Sequence, residues 1–154
     1  MGGGESAGCI FCDKLREERD RENLILARGQ RAFVLLNLYP YNSGHLMVAP
    51  YVHNGDLVNL EPAVIADVWS LSQRAVAALS AEYQPHGYNL GMNLGRVAGA
   101  GIPDHLHLHV VPRWNGDTNF MPVTAETKVL PESLDQTYQR LRRHFEEQVP
   151  DGPA

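Results

Sequence analysis

The sequence predicts an α+β domain built on an antiparallel sheet, and three observations predict it. One long stretch carries apolar residues at helical spacing, several short apolar segments are joined by mostly local connections, and no fixed-period repeat is present. The 154 residues suit one domain, large enough to bury roughly 70% of the surface its unfolded chain exposes. With 44% hydrophobic and 20% charged residues, the composition excludes disordered and fibrous classes. The longest apolar runs, such as Phe33-Val34-Leu35-Leu36, fall far short of a membrane span. Met1-Gly2-Gly3-Gly4-Glu5-Ser6 has neither a basic flank nor an apolar stretch, so no secretory signal is expected. Thirteen basic and 18 acidic side chains leave a net charge of −5, which disfavours a broad nucleic-acid footprint. The expectation is a soluble, cytoplasmic protein with neither nucleic acid nor membrane as partner.

Residues 9–148 are expected to form the domain, between flexible tails at 1–8 and 149–154. The charged stretch Cys12 to Glu22 predicts one short surface helix. Leu24–Ala27 and Arg31–Asn37 flank Gly29-Gln30 and predict a hairpin. Pro40-Tyr41-Asn42-Ser43-Gly44 breaks the chain before a third strand, His45–Ala49. Val64, Val68, Leu71, Ala75 and Leu79 recur at steps of 4, 3, 4 and 4, one apolar stripe of a long helix. Pro62 suits its first turn and Pro85-His86-Gly87 ends it. Tyr88–Leu94 and Leu106–Pro112 predict two further strands, separated by the glycine-rich loop Gly95–Gly101. Leu134, Tyr138, Leu141 and Phe145 mark a last helix.

Chemistry concentrates at His105, His107 and His109, which alternate with Leu106 and Leu108. On a strand, residues two apart share a face, so three imidazoles would line one side while the leucines pack into the core. A lone strand histidine is ordinarily structural, whereas three in alternation fit a catalytic site or a metal site. The loop Gly95–Gly101 could cradle phosphates with its backbone N–H groups. It is neither a Walker loop, since no Gly-Lys-Ser/Thr follows, nor a Rossmann fingerprint, since Asp104 stands at the third glycine position.

Taken together these residues resemble the histidine triad (HIT) superfamily of nucleotide hydrolases and transferases. His105-Leu106-His107-Leu108-His109-Val110-Val111 fits its signature. Asn37 eight residues before His45, Gly44-His45-Leu46-Met47-Val48-Ala49-Pro50 and Asn93 ahead of the loop match as well. The resemblance implies a half-barrel of about five antiparallel strands carrying the 62–83 helix and a C-terminal helix. It also implies a homodimer through that helix and strand edges. It makes His107 the nucleophile, attacking a nucleotide α-phosphorus to form a nucleotidyl-histidine that a second acceptor resolves. His109 would bind phosphate oxygens and offset developing charge. Asn37 stands where relatives bind the ribose hydroxyls, commonly with Asp, and His45, Asn93, Gly99 and Gly101 match positions around the phosphates. Hydrolase branches carry Gly-Gln-Ser or Gly-Gln-Thr before the triad; here Ala100-Gly101-Ile102 offers no hydroxyl to assist the leaving group. Val97–Ile102 and the run Arg113-Trp114-Asn115-Gly116-Asp117-Thr118-Asn119-Phe120 are similar to bacterial diadenosine tetraphosphate phosphorylases. Those enzymes use inorganic phosphate as second acceptor and yield ATP and ADP. The alternatives are hydrolysis of dinucleoside polyphosphates or nucleotide phosphoramidates, and a nucleotide-binding zinc scaffold without turnover. Trp114 fits either base stacking or packing.

The two cysteines form Cys9-Ile10-Phe11-Cys12. A structural disulfide does not suit a cytoplasmic chain, and no strand precedes the pair as a thioredoxin-like motif requires. Zinc is the better reading, two buried thiols the plainer one. Resemblance to zinc-bearing histidine triad proteins and uridylyltransferases implies His53 and His105 as the remaining ligands of a structural zinc site. His86 and His144 receive no role. Arg140, Arg142 and Arg143 read as a solvated helix face, with a polyphosphate contact as the alternative.

Overall fold

The hairpin about Gly29-Gln30 opens the sheet of the computed structural model, which describes residues 8–117 and 132–147. The tails, and Thr118-Asn119-Phe120 of the downstream motif, lie outside the described residues apart from Gly8. Strand β1 (Ile25–Arg28) pairs with β2 (Ala32–Leu36), β2 with β3 (Leu46–Pro50), and β3 with β5 (Leu108–Arg113). The edge strand β4 (Gly87–Gly91) pairs with β5. Every pairing is antiparallel, and the five strands lie in the order β1-β2-β3-β5-β4. An α+β chain with an open antiparallel sheet is therefore what forms.

Helix α2 (Pro62–Tyr83) and helix α3 (Leu134–Glu147) cover one face. Val68, Leu71, Ala75 and Leu79 of the expected stripe meet Val34, Leu36, Leu46, Val48, Leu108 and Val110, and Tyr138, Leu141 and Phe145 join them. The other face packs under α1 (Ile10–Glu17) through Phe11, Ile25, Phe33, Leu35, Met47 and Ala49. Strands β2 and β3 are thus covered on both sides, which is why Phe33–Leu36 and Leu46–Ala49 are unbroken apolar runs and not alternating ones.

Strand β4 stops at Gly91, short of the expected Leu94, and three further elements differ from expectation. Helix α1 is neither 12–22 nor a purely surface helix. Glu18 turns left-handed (φ 55°) and stops it, and Phe11 and Cys12 are buried beneath it. Strand β5 begins at Leu108, not Leu106, because the Leu106 N–H donates to the Asn54 carbonyl at 2.9 Å, off the sheet ladder. His105 and His107 therefore precede the strand, and only His109 lies within it. The arginines of α3 are not simply solvated. Arg140 and Arg143 close on Glu82 of α2 at 2.6 and 2.9 Å, and Arg140 also reaches Glu132. Arg142 donates to the Leu26 carbonyl. His144, partly buried, sits 2.7 Å from Glu82. Burial alone would raise the Glu82 carboxyl, yet the His144, Arg140 and Arg143 hydrogen bonds hold it down at about 2.

Candidate active site and metal centre

Two clusters form on the α1 side of the sheet. In the first, Cys9 and Cys12 come from the start of α1, His53 from the loop after β3 and His105 from the segment entering β5. His105 Nδ1 lies 3.4 Å from Cys9 Sγ, 3.6 Å from Cys12 Sγ and 3.3 Å from His53 Nδ1. His53 Nδ1 lies 3.6 Å from Cys12 Sγ. All four donor atoms fall within 4.8 Å of one another. Sulfur and nitrogen ligands at ordinary bond lengths around one tetrahedral ion stand about 3.3–3.8 Å apart, a range that the four distances involving His105 and His53 match.

The protonation pattern fits as well. His105 Nε2 lies 2.8 Å from the Pro50 carbonyl, an acceptor only, so Nε2 carries the proton and Nδ1 turns its lone pair toward the thiols. Burial holds the imidazole near 4, hence neutral and ready to ligate. Gly55 makes the meeting of His53 and His105 sterically allowed. A Cβ there would stand 2.1 Å from the Pro103 carbonyl oxygen.

The second cluster is the row of imidazoles beside it. His107 Nδ1 is 2.8 Å from the His105 carbonyl, so Nδ1 carries the proton and the lone pair is on Nε2. Burial lowers its pKa, with the carbonyl bond opposing, and keeps the ring neutral. Phe11 packs at 5.0 Å from the His105 and the His107 ring centroids. His109 opposes Met47 of β3 and Gly91 of β4, so Met92 and Asn93 leave the sheet beside it. Its ring centroid is 5.1 Å from that of His107.

His45, fully buried, sits 2.9 Å from His109, Nε2 to Nδ1. The Tyr41 backbone N–H donates to His45 Nδ1 at 3.1 Å. That donor decides the tautomers in sequence. His45 Nδ1 accepts, so His45 Nε2–H donates to His109 Nδ1, and His109 keeps its proton on Nε2. Asn37 Nδ2, at 3.2 and 3.5 Å from the two His45 ring nitrogens, lies against the ring and not in line with one lone pair, while its Oδ1 accepts the Tyr39 N–H. Burial, then the charge of His109, pushes His45 down to about 3. Burial and His107 also lower His109.

The sequence-picked residues divide accordingly. Cys9, Cys12, His53 and His105 come together, as do Asn37, His45 and His109, with His107 between the groups. Asn93 is exposed and its side chain lies beneath Gly99, where a Cβ would meet its Nδ2 at 3.6 Å. Gly101 is exposed in the same loop. The N–H groups of Ala98, Gly99 and Ala100 are engaged by the Gly95 and Arg96 carbonyls. Ile102 packs against the Phe11 side of the core. Sequence reasoning missed the Tyr41 N–H, the Pro50 and His105 carbonyls and the Phe11 ring. The first three are backbone groups that no side-chain pattern marks; Phe11 stands between the two cysteines, just before the stretch expected to be helical, and its apolar ring was the one visible signal.

A profile described as the HIT domain matches residues 18–116. The chain is 43% identical over 129 residues to a Mycobacterium tuberculosis protein named AP-4-A phosphorylase, an alignment spanning 84% of this chain and 66% of that protein. It is 32% identical over 109 residues to an uncharacterised HIT-like protein of the same species, covering 71% and 74% of the two chains. Among solved structures, a Zn-bound histidine triad family protein from Mycobacterium smegmatis superposes with a TM-score of 0.74 at 25% identity, covering 91% and 94%. Matching profile, relatives and fold, with the triad on the sheet face beneath α1, mean that the chain belongs to the HIT domain family.

Proposed function

We propose that this chain is a nucleotidyltransferase that cleaves dinucleoside polyphosphates through a covalent intermediate on His107, with inorganic phosphate as second acceptor. The observation that carries this reading is the 2.8 Å hydrogen bond from His107 Nδ1–H to the His105 carbonyl, which leaves a neutral ring with its lone pair on Nε2. That pair attacks the α-phosphorus of diadenosine tetraphosphate. The P–O bond to the departing nucleotide breaks, and ATP leaves with the bonding electrons. His109, protonated on Nε2 through the His45 and Tyr41 hydrogen bonds, offers a donor to the phosphoryl oxygens as charge builds. A phosphate oxygen then attacks the same phosphorus, the P–N bond breaks, and ADP leaves His107 with its lone pair restored.

Asn37, Asn93, Gly99 and Gly101 are the proposed nucleotide contacts, with His45 supporting His109. ATP is a good leaving group, which suits a loop with Ile102 where relatives place a hydroxyl. We assign zinc to Cys9, Cys12, His53 and His105, supported by donor spacing and by a zinc-bound structural relative. Its part is structural, tethering α1 and the His53 loop to the segment that carries His107. One unit spanning 9–148, acting as a homodimer, completes the proposal.

Diadenosine tetraphosphate incubated with the protein should yield ATP and ADP only when phosphate is present. His107→Ala should lose at least about a thousandfold in kcat while still binding nucleotide. AMP and ATP formed without phosphate would make water the acceptor. No turnover of any dinucleoside polyphosphate by the zinc-loaded protein would overturn the enzymatic reading in favour of a scaffold.

A further inference from the structure

Beyond the histidines, the described chain holds a second polar network, centred on Asp117. Its carboxylate takes a bidentate pair from Arg113, Nε to Oδ2 at 3.0 Å and Nη2 to Oδ1 at 2.9 Å. Oδ2 also accepts the Trp114 N–H at 2.9 Å and Asn42 Nδ2 at 3.0 Å. Arg113 reaches Asn89 of β4 at 2.6 Å. The Arg113 hydrogen bonds, foremost, hold the Asp117 carboxyl down at about 2, so it is ionised throughout the working range. Asn42 spends its other N–H on the Pro112 carbonyl at 2.8 Å.

Asn42 lies in the connection from β2 to β3. Its carbonyl accepts the His45 N–H at 3.1 Å, and its neighbour Tyr41 supplies the N–H that decides the His45 tautomer. Gly44, at φ 86°, brings the same connection against Pro112, whose Cγ a Cβ would approach to 3.4 Å. Asp117 therefore grips the connection through one side-chain amide, just past the exit of the strand whose second residue is His109.

We propose that Asp117 is a positioning residue. By pinning Asn42 to the end of β5 it fixes the Tyr41 N–H on His45 Nδ1, and through His45 it keeps the His109 proton on Nε2. The inference rests on the reading of His109 as a phosphoryl donor, but its structural part can be measured without turnover.

The test compares the zinc-loaded native protein with Asn42→Ala, Asp117→Ala and Asp117→Asn. Imidazole nitrogen chemical shifts report the tautomers directly. The native protein should show His45 and His109 each protonated on Nε2. In Asn42→Ala and Asp117→Ala both rings should move toward averaged shifts. With diadenosine tetraphosphate and phosphate, kcat should fall about tenfold and KM change less than about twofold. Asp117→Asn, which keeps a carbonyl oxygen for the Asn42 amide, should recover most of both signals. Asn42→Ala leaves the Arg113–Asp117 pair intact, so it carries the test if Asp117→Ala does not fold. Unchanged ring shifts in a folded Asn42→Ala protein would overturn the proposal. A native protein without turnover would defeat the functional reading alone, because the ring shifts would still decide the positioning role.

Discussion

At the scale of single residues, the site is organised by proton placement. The three buried imidazoles on this face each have one nitrogen committed to a backbone group: His45 to the Tyr41 N–H, His105 to the Pro50 carbonyl, His107 to the His105 carbonyl. His109 inherits its tautomer from His45. Burial keeps such rings neutral, and that links stability to pH. His45 has a pKa of about 3 in the folded protein against 6.5 for an ordinary histidine. Between those values the unfolded chain binds the proton that the folded chain refuses, so stability falls as pH drops through the window. Unfolding free energies from denaturant melts between pH 7 and pH 4 should fall less steeply in His45→Gln than in the native protein, by up to about 1.4 kcal/mol per pH unit. Equal slopes would mean that His45 is protonated in the folded state.

Elements explain how distant cysteines and histidines meet. The cysteine pair sits on the first turn of α1, His53 follows β3, and His105 lies just before β5, so three separate connections must converge. Gly55 allows the last approach, since any Cβ there would collide with the Pro103 and Asp104 backbone. The expected consequence is that Gly55→Ala weakens zinc binding at least about tenfold without removing a ligand. Competition against a chromophoric chelator measures it, and native affinity in the variant would mean that the two loops separate freely.

The whole molecule is a sheet dressed on both faces by unequal layers. Helices α2 and α3 bury a broad apolar surface and need no ion. Helix α1 has only eight residues and contributes Phe11 and Cys12 to the core. A single short helix of this kind is marginal without a tether. Chelating the zinc-loaded protein should therefore raise hydrogen exchange in residues 10–17 and 105–107 while β2 and α2 stay protected. Loss of protection throughout would instead show that metal binding and global folding are one transition. Among the described residues no helix is long and apolar enough to cross a membrane.

The sequence by itself determined the sheet's strands to within a few residues, the span of α2, the apolar stripes of both long helices and the identity of the clustered histidines and cysteines. Those follow from side-chain pattern: period, turn residues and unusual spacing survive without coordinates. Tertiary structure decided the rest. It moved His105 and His107 out of the strand because Leu106 donates to Asn54, and it laid Phe11 over them. It gave two arginines of the exposed α3 face, Arg140 and Arg143, a shared partner in Glu82. It also placed the protons of His45, His105 and His107 through two backbone carbonyls and one backbone N–H, and that of His109 through His45. Backbone donors and acceptors are the same for nearly every residue, so no alphabet of side chains records where they point; only the folded chain does.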